Sequence, residues 1–117
     1  MKHSDLNLFK ERGEKITCLT AYDSSIAKII DNCGVDVVLI GDSLGMVIQG
    51  YKNTRSVTMQ DMLYHTEIVA NSCQQTLVIA DMPFQSYDST KLALTNAQNL
   101  VNAGADMVKI EGGQEFE

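Results

Sequence analysis

The sequence predicts an α/β protein built on parallel strands, and three observations carry that prediction. Short β-branched apolar runs alternate with segments whose apolar residues recur at helical spacing. Two of the runs, VDVVLI at residues 35–40 and LVIA at residues 77–80, are near-continuous, as in strands covered on both faces. Three carboxylates, Asp42, Asp81 and Glu111, fall at equivalent places, at the ends of the second, third and fourth runs.

Each element has its own justification. Residues 15–22 (KITCLTAY) form the first strand. Asp23 is placed to cap the helix that follows, in which Ile26, Ala27, Ile29, Ile30 and Cys33 make an apolar face, and Gly34 is placed to end it. Residues 35–40 form the second strand and run into Gly41-Asp42-Ser43-Leu44-Gly45, after which a polar loop follows. Thr58 with Asp61 has the spacing of a capping box, and Met59, Met62, Leu63, Val69, Ala70 and Cys73 give the next helix its apolar face. Residues 77–80 form the third strand, ending at Asp81-Met82-Pro83-Phe84. Ser89 or Thr90 opens a third helix, with Ala93, Ala97, Leu100 and Val101 on one side and Gly104 at its end. Residues 105–110 (ADMVKI) form the fourth strand, and residues 111–117 read as a loop entering another helix.

Parallel βαβ units of this kind build either a doubly wound open sheet or a (β/α)8 barrel, and both put functional residues at the carboxyl ends of the strands. From Ile16 to Met107 three repeats take about 90 residues, so eight would need roughly 240. The 117 residues cover about half of that, so residues 1–117 are expected to be part of a single domain, a fragment of a longer chain.

Composition narrows the function classes. A content of 44% hydrophobic and 21% charged residues is that of a globular protein and argues against disorder. No apolar run reaches the roughly 20 residues of a membrane span, and the charged start has no hydrophobic stretch or cleavage site, so a cytoplasmic protein is expected. Nine basic against 15 acidic residues, a net charge of -6, is the wrong sign for neutralising nucleic-acid phosphates or anionic lipid, so neither partner is expected. Cys18, Cys33 and Cys73 are odd in number and far apart, which suits neither a disulfide framework nor a zinc knuckle. No phosphate-binding glycine motif occurs.

The chemistry gathers at the strand ends. Asp42, Asp81 and Glu111 would converge on one mouth, and three carboxylates suit a hard divalent ion such as magnesium, although each also has ordinary uses as a cap or a solvated acid. Lys109 precedes Glu111 by two residues, so strand alternation points both to one face and Val108 and Ile110 to the other. A lysine there could bind a substrate carboxylate or steady an enolate, or it could simply guard a sheet edge. Tyr22 would stand at the same mouth.

At these residues the chain resembles the N-terminal part of the ketopantoate hydroxymethyltransferase family. The matching stretches are Thr20-Ala21-Tyr22-Asp23, Gly41-Asp42-Ser43-Leu44-Gly45-Met46 with Gln49-Gly50, Tyr64-His65-Thr66, Ala80-Asp81-Met82-Pro83-Phe84, and the run from Asn102 through Lys109-Ile110-Glu111 to Gly113. The resemblance implies a (β/α)8 TIM barrel, of which this chain covers about the first four βα units. It implies transfer of a hydroxymethyl group from 5,10-methylenetetrahydrofolate to 3-methyl-2-oxobutanoate, giving 2-dehydropantoate for pantothenate and coenzyme A synthesis. It implies magnesium held by Asp42, Asp81 and Glu111, oxo-acid contacts from Asp42, Ser43, Asp81 and Lys109, and a large homo-oligomer. The family's general base is a glutamate on a later strand, so no catalytic base is expected in this chain, and Glu115 and Glu117 lie in the wrong place to replace it.

Two other readings stand beside this one. The chain could be a non-catalytic remnant acting through association with full-length subunits. Alternatively, Gly41-Asp42-Ser43-Leu44 spells the signature of GDSL serine esterases, but that chemistry needs a base, and His3 and His65 are poorly placed to supply one.

Overall fold

The four strands are β1 (Cys18–Thr20), β2 (Val37–Ile40), β3 (Leu77–Asp81) and β4 (Met107–Lys109), and all neighbours pair in parallel. They lie side by side in the order β1-β2-β3-β4 in a computed structural model that describes residues 1–112. The helix entry expected over residues 113–117, with Glu115 and Glu117, lies outside the described residues. A doubly wound sheet must reverse its strand order at a switch point. A strictly sequential order does not reverse, which is the pattern of consecutive units around a barrel.

Register sorts the strand residues into two faces. Val38 pairs with Val78 and Ala80 with Val108, and these side chains meet the helices. Asp81 pairs with Lys109 on the opposite face. Ala27, Ile30, Val38, Ile40, Met62, Val69, Val78, Ala80 and Leu100 form the core between sheet and helices, with Met59, Leu63, Ala70, Cys73 and Ala97 packed against it.

The helices are α1 (Asp5–Glu11), α2 (Ser24–Asn32), α3 (Leu44–Val47), α4 (Met59–Ser72) and α5 (Thr90–Asn102). The Asp23 carboxylate caps α2 by accepting the Ile26 N–H at 2.8 Å. Both bonds of the Thr58–Asp61 capping box form at the start of α4. The Thr58 backbone N–H and then the Gln49 side chain hold the Asp61 carboxyl below its ordinary value. Ser89, not Thr90, caps α5. Gly104 ends the turn after α5 at φ +121°, where a Cβ would come within 2.4 Å of the Ala70 Cβ, so the turn between α5 and β4 can approach α4 only because this residue is glycine.

Some expectations needed correction. The helix α1, for which no element was predicted, has no buried residue, and its acidic first turn and basic last turn, Asp5 and Lys10, complement the helix dipole. The one-turn α3 lies where a loop was expected. Ile26, Ile29 and Val101 are exposed, because α2 and α5 turn other faces to the sheet and to α4. The outer strands are also shorter than their apolar runs. The Thr17 N–H, just before β1, bonds the Asp36 carboxylate at 2.9 Å in place of a ladder partner. Cys18, Cys33 and Cys73 are free thiols.

Candidate functional site

The site is assembled at the carboxyl ends of β2, β3 and β4. Ile40 is buried, and the chain leaves β2 through Gly41, where a Cβ would sit 2.9 Å from Ser43 Oγ and 3.6 Å from Asp81 Oδ2. A side chain at Gly41 would press on both groups. The Asp42 N–H donates to Asp81 Oδ2 at 3.0 Å, tying the β2 exit to the end of β3. Ser43 occupies the cap position of α3, but its side chain makes no capping bond to the helix, and its Oγ lies 2.7 Å from the Tyr22 phenol oxygen instead. Gly45 is buried against the loop that returns to α4, where a Cβ would meet Val57 at 2.6 Å.

Asp81 is 5% exposed, a cost that its partners must offset. Oδ2 takes the Asp42 N–H, and Oδ1 takes the Lys109 ammonium at 2.9 Å. Lys109 also reaches Glu111 Oε1 at 2.7 Å, so the expected shared face of Lys109 and Glu111 is found, while Val108 packs into the core. Partial burial acts to lower the Lys109 pKa, but the hydrogen bonds to Glu111 and Asp81 and their charges outweigh it and raise it to about 12. It is therefore a fixed cation at neutral pH. The bond and charge of Lys109 hold the Glu111 carboxyl below its ordinary value. Burial pushes the Asp42 carboxyl up, the Asp81 and Glu111 charges push the same way, and the Lys109 charge and the Thr54 hydroxyl oppose them.

The structure thus gathers Asp42, Ser43, Asp81, Lys109 and Glu111 at one mouth, together with Tyr22. Among the described residues, no three side chains of the ligating types stand ready to enclose a metal ion. The donor set still fits a hard divalent ion, being all carboxylate oxygen and over-negative even with Lys109 counted. Among the described residues, the Glu111 carboxylate, whose side chain is 74% exposed, is bonded by Lys109.

Sequence reasoning missed two neighbours. Thr54 comes back from the polar loop to bond Asp42. Tyr87 donates its hydroxyl to the Glu111 carbonyl at 2.7 Å, and burial followed by the Glu111, Asp42, Asp88 and Asp81 charges raises its phenol pKa. Tyr87 stands in the loop after β3 and Thr54 in the loop between α3 and α4, and a place in the loops on the strand-end side is the one signal that could have found them. His65 is half-buried, and its Nδ1 bonds the Tyr22 carbonyl at 2.8 Å, so Ser43 is paired with a phenol and not with an imidazole. That arrangement does not support the esterase reading.

Comparison with known proteins now bears on this geometry. The family model described as ketopantoate hydroxymethyltransferase matches residues 1–117. The chain is 61% identical over 112 residues to the 3-methyl-2-oxobutanoate hydroxymethyltransferase of Vesicomyosocius okutanii subsp. Calyptogena okutanii (strain HA), covering 96% of this chain and 43% of that protein. It is 54% identical over 113 residues to the enzyme of the same name from Thermoanaerobacter sp. (strain X514), covering 95% of this chain and 41% of that one. The chain therefore spans about two-fifths of the length of these curated relatives. Among solved structures, phosphonopyruvate hydrolase in complex with oxalate and Mg++ superposes with a TM-score of 0.77 at 15% identity, over 100% of this chain and 43% of that one. A 2,3-dimethylmalate lyase, a PEP mutase/isocitrate lyase superfamily member, gives 0.71 at 20% identity, over 97% of this chain and 40% of that one. At such identities these likenesses show the fold alone, that of the first four βα units of a (β/α)8 barrel.

Proposed function

The chain belongs to the ketopantoate hydroxymethyltransferase family, and from that premise we propose that the protein carrying it moves a one-carbon unit onto 3-methyl-2-oxobutanoate. The product is 2-dehydropantoate, the donor is 5,10-methylenetetrahydrofolate, and a water and the freed tetrahydrofolate balance the transfer. The observation that carries this reading is the Lys109–Asp81 pair beside Asp42, Ser43 and Glu111. A fixed ammonium and a serine hydroxyl at one mouth suit the carboxylate of a 2-oxo acid. The adjacent carboxylates suit a divalent cation.

Asp42, Asp81 and Glu111 would hold magnesium, which when bound supplies Lewis-acid polarisation of a keto carbonyl and so acidifies the neighbouring C3–H. Lys109 and Ser43 orient the oxo acid, with Asp42 and Asp81 also lining its place. Buried Asp81 keeps Lys109 in position. The base that takes the C3 proton is proposed to be a glutamate outside these residues, on a later strand, so that residues 1–117 alone do not turn over. The same reading puts the protein in the cytoplasm as a homo-oligomer in the route to pantothenate and coenzyme A. No helix among the described residues is long and apolar enough to cross a membrane.

The test is calorimetric titration of the complete polypeptide with magnesium and 3-methyl-2-oxobutanoate. Asp81→Asn keeps the shape but removes a charge, and should weaken magnesium-dependent binding of the oxo acid by at least about tenfold. Unaltered affinities in that variant would remove Asp81 from the site.

A further inference from the structure

Ser43 has a partner that the proposed function does not yet use. Its Oγ lies 2.7 Å from the phenol oxygen of Tyr22, which follows β1, on the far side of the site from Lys109. Tyr22 is in turn held from two sides by His65 on α4. The His65 Nδ1 lies 2.8 Å from the Tyr22 carbonyl, and the two rings meet edge to face with centroids 6.4 Å apart. A carbonyl only accepts, so Nδ1 carries the proton in that bond. Either hydroxyl can donate along the 2.7 Å contact, and the phenol, the more acidic of the two, is the better donor. Ser43 Oγ then accepts from Tyr22, and its own proton is left to be donated elsewhere. Gly41 puts no side chain of its own beside Ser43 Oγ, where a Cβ would stand 2.9 Å from that oxygen and 3.6 Å from Asp81 Oδ2.

We propose that Tyr22 is a positioning residue, which fixes the Ser43 hydroxyl so that its proton is presented to the carboxylate of the bound 2-oxo acid, and that His65 holds Tyr22 in place to do so. The inference rests on the 2-oxo acid reading above. It differs from it in what fails. Tyr22→Phe keeps the ring, the backbone carbonyl and the His65 bond, and deletes only the hydroxyl.

In the complete polypeptide, Tyr22→Phe is expected to weaken 3-methyl-2-oxobutanoate binding about tenfold, the scale of one hydrogen bond. KM for the oxo acid rises by the same factor with kcat little changed, magnesium affinity stays where it was, and the thermal midpoint falls by no more than the loss of one hydrogen bond accounts for. Ser43→Ala has a comparable or larger effect, and adding Tyr22→Phe to it changes nothing further, because the proton being aimed is already gone. His65→Ala reproduces the loss through the same route, and His65→Asn, which can still donate to the carbonyl, restores part of it. A Tyr22→Phe protein that binds the oxo acid as tightly as the parent, or losses that simply add in the double variant, would overturn the proposal while leaving the oxo-acid site standing. Failure of the parent protein to bind any 2-oxo acid in the presence of magnesium overturns the function proposed above and this inference with it.

Discussion

Carboxylates stand at both ends of the sheet, and the two sets meet opposite surroundings. Where the strands begin, Asp31 at the end of α2 accepts the backbone N–H groups of Gln74, Gln75 and Thr76 at 3.1, 2.9 and 2.9 Å. Asp36 takes the N–H and hydroxyl of Thr17, each at 2.9 Å, and Asp106 takes the N–H of Val78 at 2.8 Å. Where the strands finish, Asp42, Asp81 and Glu111 face one another and share a single lysine. Burial acts to raise the Asp31 pKa, but the Thr76, Gln75 and Gln74 bonds outweigh it and lower it from 3.8 to about 2. At Asp42 burial and like charges both push up. The same side chain is thus a structural clasp where backbone donors are spare, and a group left wanting a cation where they are not.

Breaking the clasp should give the largest effect on stability. Asp31→Ala leaves three backbone N–H groups without their acceptor, that of Thr76 in a buried setting, and is expected to destabilise the fold by about 3 kcal/mol. Denaturant titration of the complete polypeptide measures it. The opposite end should not notice: oxo-acid affinity per folded molecule stays at the parent value. A change in that affinity as large as the change in stability would show that the two ends are not independent.

Acid sharpens the same contrast. Asp31 has a folded pKa below its unfolded value, so its contribution is present above about pH 4 and is lost as pH falls toward about 2. The gap between 3.8 and about 2 is worth about 2 kcal/mol, at about 1.4 kcal/mol per tenfold in proton affinity. Unfolding midpoints followed from pH 5 downward should therefore fall in the parent, and the Asp31→Asn protein should lack that part of the slope. Equal slopes in the two proteins would place the acid sensitivity elsewhere.

How far the two ends could be read from the sequence follows from how far their contacts reach along the chain. The mouth was legible because each carboxylate ends a strand, and strand ends can be read from local pattern alone. That Lys109 and Glu111 share a face was legible from the two-residue period. The Lys109–Asp81 pair was not, since it depends on the register of β3 against β4. The Asp31 clasp leaves no local signal, because its three donors lie 43 to 45 residues further on. Ile29 was expected inside from its spacing on α2, yet it is 58% exposed, since helical period identifies an apolar stripe without saying which of its edges a neighbour covers. Thr54 and Tyr87 sit in loops whose course no periodicity describes.

The smallest expected effect on stability separates the ends by what lies next to a glycine. Gly104 and Gly41 both lack room for a Cβ, but the obstacles differ in kind. At Gly104 the added carbon meets the Ala70 Cβ, which is fixed to the α4 backbone, and φ is +121°, so alanine there forces helix and turn apart. At Gly41 the nearest atom is Ser43 Oγ, which can rotate away about one bond. Gly41→Ala should accordingly cost the fold only about 1 kcal/mol, the scale of one displaced side-chain rotamer and its hydrogen bond. Rotation of Ser43 nevertheless breaks its contact with Tyr22, so oxo-acid affinity in this variant should fall about tenfold, by the same argument as for loss of the phenol. A Gly41→Ala protein that melts far below the parent would mean that Ser43 is not free to turn, and that the mouth is packed as rigidly as the other end.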